Sequence, residues 1–175
     1  MAARIAFGTV NADEIQSTVD SMLMNGVYSR EFIDIMDSKP ARLDEVLPPF
    51  VAYLQREGIS VPTKDQAVWQ LIAHHVSRIV SGAADPISEL QELISDVYWD
   101  YDFHTPTREY LGDSHGIQYL IGLYWENDDM TDRDCNGSQK EIKEIKEAIV
   151  KRSKEWMECF ANKAVHRIAD KPGSR

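Results

Sequence analysis

This 175-residue chain has little of what most quickly betrays a function. Two cysteines, Cys135 and Cys159, are too few for a disulfide framework, which fits a reducing compartment. No apolar run approaches the roughly 20 residues that cross a bilayer. Met1 to Val10 hold too short an apolar stretch for a signal peptide. The expectation is a cytoplasmic protein with no membrane partner. A cationic face is missing too. From Asp85 to Asp134, 13 Asp/Glu stand against Arg108 and Arg133, a net −11. From Ser138 to Arg175, ten Lys/Arg are interleaved with six acids. Phosphate backbones need concentrated positive charge, so nucleic acid is disfavoured as a partner. A basic protein, by contrast, would be steered to the −11 segment.

What is present is helical patterning on a 43% hydrophobic composition, enough for a core. Asn11 reads as a cap, followed by Ile15, Val19, Met22 and Leu23 at helical spacing. Ser29 opens a short helix carrying Phe32, Ile33 and Met36. Another element runs through Phe50, Val51 and Leu54 towards Gly58, with Pro48 and Pro49 expected only at its start or at a break before it. Thr63 and Gln66 make a capping box ahead of Ala67, Val68, Leu71, Ile72, Val76, Ile79 and Val80. Asp85-Pro86 is a cap followed by a first-turn proline, with Leu90, Leu93, Ile94 and Val97 behind it. Ile117, Leu120, Ile121 and Tyr124 mark the next helix. After a second capping box, Ser138 with Glu141, a narrow stripe from Ile142 to Ile168 spans about thirty residues, suited to docking along a bundle or to a homodimer seam. Residues 1–10 read as a short strand (Arg4 to Val10) or a loose terminus, and 171–175 as a disordered tail. The expected fold is all-α, a single-domain bundle of about six or seven helices over residues 1–175 with a long amphipathic C-terminal helix.

Four motifs invite chemistry. Asp132, Asp134 and Asn136 with Gly137 spell D-x-D-x-N-G, which resembles the opening half of the EF-hand calcium loop. The resemblance implies calcium on those three residues. However, Lys143 falls where the bidentate Glu belongs, so the site would be a weak one. Gly112 to Gly116 matches G-x-S-x-G, similar to the nucleophile elbow of α/β-hydrolases, but no strand precedes it; Asp113 or Ser114 is expected to cap a helix. His74 and His75 point about 100° apart on their helix and cannot chelate one ion together; one is expected as a buried, satisfied polar group. Glu89, Glu92 and Asp96 share a helical side, as the magnesium-holding acids of helical pyrophosphatases do. This gives a second reading, a magnesium-dependent hydrolase, although an exposed acidic face is the expected outcome.

Eight of the 16 aromatic residues fall in the acidic segment. Trp99, Asp100, Tyr101, Asp102 and Phe103, with Asp128 and Asp129, combine rings that anchor interfaces with acids that select a basic partner. No catalytic constellation survives this reading. The expectation is a non-enzymatic protein-binding module, of which one version is an immunity-type inhibitor that covers the cationic site of a toxin or nuclease. Cys159, beside Trp156 and Phe160, is expected to be packed.

Overall fold

A computed structural model describes residues 1–103, 113, 115–132 and 139–169, with side chains described as far as 130 and from 139 to 160. Among these residues there are eight α-helices, one 3₁₀ turn and no strand, so the all-α class is what the structure shows. The helices are α1 Ala2–Phe7, α2 Ala12–Met24, α3 Glu31–Asp37, α4 Leu43–Arg56, α5 Lys64–Ser81, α6 Pro86–Asp96, α7 Gln118–Asp132 and α8 Gln139–Ala169. The chain divides into two compact units, Met1–Ala67 and Val68–Arg175. The 171–175 tail and the Ser138 cap lie outside the described residues.

In the first unit, α2, α3 and α4 pack around Ile15, Val19, Phe32, Ile35, Val46, Phe50, Tyr53 and Leu54. Asn11 and Glu14 close a reciprocal capping box, which satisfies two of the first-turn N–H groups of α2. Gln16 donates from Nε2 to the carbonyls of Ile35 (2.7 Å) and Ser38 (2.8 Å), so a side chain of α2 caps the end of α3. On α3 the buried residues are Phe32 and Ile35, while Ile33 is 63% exposed.

Two expectations are overturned here. The first is the strand at Arg4 to Val10: Ala2–Phe7 is a helix that ends at Gly8. A lone strand leaves its N–H and C=O groups unpaired, whereas a helical turn satisfies them internally. Ala2 and Ile5 pack on the core, and Arg4 pairs with Glu14 at 2.7 Å. The second is the place of the prolines. Pro48 and Pro49 lie inside α4, several residues after its start at Leu43. Each proline removes one hydrogen bond to the residue four back. Those residues, Asp44 and Glu45, are exposed, so water can serve their carbonyls. Burial of Val46, Phe50, Tyr53 and Leu54 on either side of the prolines outweighs that loss.

In the second unit, α6, α7 and α8 pack against one another. Asp85 caps α6, accepting from the N–H groups of Ile87 (3.1 Å) and Ser88 (3.3 Å), with Pro86 in the first turn. Burial pushes the Asp85 carboxyl upward, but the Lys146 ammonium and those backbone donors outweigh it and hold the group below its ordinary value. Thr63 and Gln66, in the last turn of sequence assigned to the first unit, form their capping box at the start of α5. The described stripe of α8 faces inward: Ile145, Ile149 and Trp156 are buried, and Ser153 shares their line with no exposed surface. Cys159 is exposed, contrary to its expected packing. It lies three residues beyond Trp156, about 60° around the helix, which carries it off the buried stripe.

Candidate functional site

Two groups of acids stand out among the described residues of the 85–134 segment. The first is buried between α5 and α6. His75 places Nδ1 2.8 Å from Glu89 Oε1 and Nε2 3.3 Å from Asp96 Oδ2. Arg78, one turn further along α5, donates from Nε to the same Glu89 oxygen at 2.9 Å. Glu89 is 4% exposed and Asp96 8%. Both ring nitrogens of His75 face carboxylate oxygens. With His75 5% exposed and both nitrogens turned to carboxylates of α6, the arrangement ties the two helices together. His74 is the exposed neighbour. Desolvation of the ring, helped by the nearby His75 and Arg78, holds its pKa below 6.5.

This arrangement corrects the expectation of a solvated acidic face on α6 and does not gather the magnesium triad. Glu89 and Asp96, seven residues apart, fall about 20° apart around a helix, whereas Glu92 is turned about 60° from Glu89. Glu92 is exposed, and Glu89 is already engaged by His75 and Arg78. Among the described residues no group of three or more His, Cys, Asp or Glu side chains is arranged to hold a metal ion. For the calcium motif, Asp132 is the last residue of α7, while Asp134 and Asn136 lie outside the described residues. Only the line of the pair was legible in the sequence: Glu89, Leu93 and Asp96 lie along the apolar stripe, but the His75 partner that permits their burial was not.

The second group is the acidic, aromatic surface. Past Asp96 the chain makes a 3₁₀ turn, Tyr98–Asp100, and folds back. Phe103 drives that fold. It is 1% exposed, stacks on Tyr98 at 5.9 Å between ring centroids, and meets Tyr101 and His115 edge-on at 5.0 and 5.3 Å. Phe103 was expected on the interaction surface and is instead a core ring: a phenyl group without a polar handle gains most by full burial. With Phe103 inside, its neighbours are set outward. Asp100 and Asp102 are exposed, Tyr101 is half-buried, and Trp99 is 67% exposed.

Across from this turn, α7 presents Trp125, 38% exposed, with its ring centroid 6.2 Å from that of Trp99. Asp128 and Asp129 follow one turn later on the same helical face, Asp129 exposed and Asp128 half-buried. Six of the seven expected partner-binding residues therefore have surface to offer. A small cleft of about 210 Å³ between α7 and α8 adds Glu126, Glu141 and Glu144 around Leu123 and Met130.

Behind this face sits His115, 3% exposed, the histidine of the G-x-S-x-G stretch. Trp69 lies over it at 4.2 Å, Tyr101 meets it edge-on at 5.3 Å, and its carbonyl accepts from Trp156 Nε1 at 2.8 Å. Asp113 caps α7, accepting from the N–H groups of Ile117 (2.9 Å) and Gln118 (3.1 Å). Asp113 thus opens a helix and His115 builds a core, while Gly112 and Ser114 lie outside the described residues. Neither a protein-family model, nor a curated protein, nor a solved structure matches this chain.

Proposed function

We propose that this chain is a non-enzymatic binding module that captures a basic protein through Trp99, Asp100, Tyr101, Asp102, Asp128 and Asp129. One observation carries the reading. Trp99 and Trp125 are held beside each other at the surface, inside a segment of net −11, while the neighbouring Phe103 is spent on the core. Large exposed rings cost solvation unless a partner covers them, and indole faces attract Lys and Arg side chains. The acids around them add steering and discrimination against acidic partners. In its most concrete form the protein is an immunity-type inhibitor in the cytoplasm, laying this face over the cationic site of a toxin or nuclease.

The test is capture of small basic nucleases and toxins at low and high salt, followed by titration of Trp99→Ala. Binding that weakens with salt and falls about thirtyfold in the variant supports the reading, because a buried Trp anchor contributes roughly 2 kcal/mol. Failure to bind any basic protein at low salt counts decisively against it.

A further inference from the structure

The stripe of α8 leaves open whether this helix docks on its own bundle or pairs with another copy. Its apolar line from Ile145 to Trp156 is buried, so any pairing along this stretch has to use the outward side. That side carries both signs, and lysines predominate around one groove. Lys143, Lys146, Lys151 and Lys154, with Glu147, Val150 and Pro86, line a groove of about 470 Å³ between α8 and the start of α6. Lys143 and Lys154, eleven residues apart, fall about 20° apart around the helix, with Lys146 and Lys151 to either side of them. Lys146 is tied to Asp85, and Lys143 lies 3.8 Å from Glu147. No ion pair to Lys151 or Lys154 is seen among the described residues. Val150 and Pro86 give the groove an apolar floor, and lysine stems extend it.

We infer that this lysine groove receives the Trp99 and Trp125 face of a second copy of the chain, in a head-to-tail contact. The occupant follows from complementarity of sign and of shape. The groove sets four lysines against the single acid Glu147 over an apolar floor, and the same unit displays an anionic face with two exposed indoles. Lysine ammonium groups beside indole rings are favourable, and the aspartates at 100 and 129 supply the ion pairs. The copies carry −10 each, but at about 0.15 M salt charges further apart than roughly 8 Å are screened, so the opposed faces dominate at contact. Two different surfaces meet in such a contact, so it propagates rather than stopping at a dimer. It also hides the surface proposed above for the basic partner and thereby regulates it. The inference rests on that reading for the identity of the acidic face, and it can fail without it.

Sedimentation of the full chain over a concentration series, at moderate and high salt, tests it. The wild type should gain mass with concentration, and high salt should abolish the gain. Lys151→Glu/Lys154→Glu and, separately, Asp100→Lys/Asp129→Lys should each weaken association about tenfold or more, through like-charge contact. Mixing the two variants should restore association, because each then offers the sign the other lacks. These exposed substitutions leave the core alone, and an unchanged helical circular dichroism spectrum checks that. A wild type that stays monomeric throughout overturns the inference, as does association that survives both variants or high salt, or a mixture that does not reassociate. A chain that is monomeric yet binds basic nucleases loses this inference and keeps the proposed function.

Discussion

Glu89 and Asp100 are eleven residues apart in one acidic segment, yet they do opposite things. Glu89 is 4% exposed and shares one oxygen between His75 and Arg78, while Asp100 is exposed beside Trp99. The difference teaches that a run of like charge is not a single surface. An acid brought inside is stable only if paired, and losing its partner strands a charge away from water. An acid left outside costs almost nothing and acts at a distance, through the field it adds to its neighbours.

The comparison breaks most sharply at Glu89. Glu89→Ala leaves the buried Nδ1 of His75 without its carboxylate and should cost about 3–5 kcal/mol by urea unfolding. Asp100→Ala should change stability by no more than about 0.5 kcal/mol in the same experiment. Equal costs would erase the distinction between the two groups of acids.

Next in size is Gly116, behind the acidic face. Its φ of +71° is unfavourable for any residue with a Cβ, and an added Cβ would sit 2.6 Å from the Phe160 ring. Gly116→Ala should lower stability by about 1–3 kcal/mol, with changed near-ultraviolet circular dichroism from the Trp69 and Trp156 environment. Trp99→Ala should do the reverse: binding falls by about 2 kcal/mol while unfolding is hardly altered.

A smaller effect belongs to His74. Its folded pKa lies below 6.5, so the unfolded chain binds more protons as the pH drops past that value. Its contribution to stability is therefore intact above pH 6.5 and declines as the pH falls towards the folded pKa. His74→Gln should flatten that part of the stability profile. The smallest change is expected at Ser153, whose buried hydroxyl finds no partner among the described residues. Ser153→Ala should be neutral or slightly stabilising, since it removes an unsatisfied group and little volume.

Much of the fold was legible because helix signals act within four residues. Asn11 with Glu14, Thr63 with Gln66 and Asp85 with Pro86 open helices as their spacing predicts, since each bond joins groups already adjacent in the chain. The candidate surface was legible only in part. Trp99, Asp100 and Asp102 are exposed as expected, but Phe103 in the same run is buried, and composition cannot tell one ring of a cluster from the next. Of the two adjacent histidines, periodicity required one to face inward without saying which.

The sequence by itself determined the helical class, most helix starts and the −11 segment, because these depend on local hydrogen bonds and on counting charge. The tertiary structure alone decided that Glu89 and Asp96 turn inward to His75, that α4 runs through Pro48 and Pro49, and that Phe103 leaves Trp99 at the surface. The partners of His75 lie 14 and 21 residues away along the chain. Whether a charged group is buried depends on partners at that range, which helical periodicity does not encode.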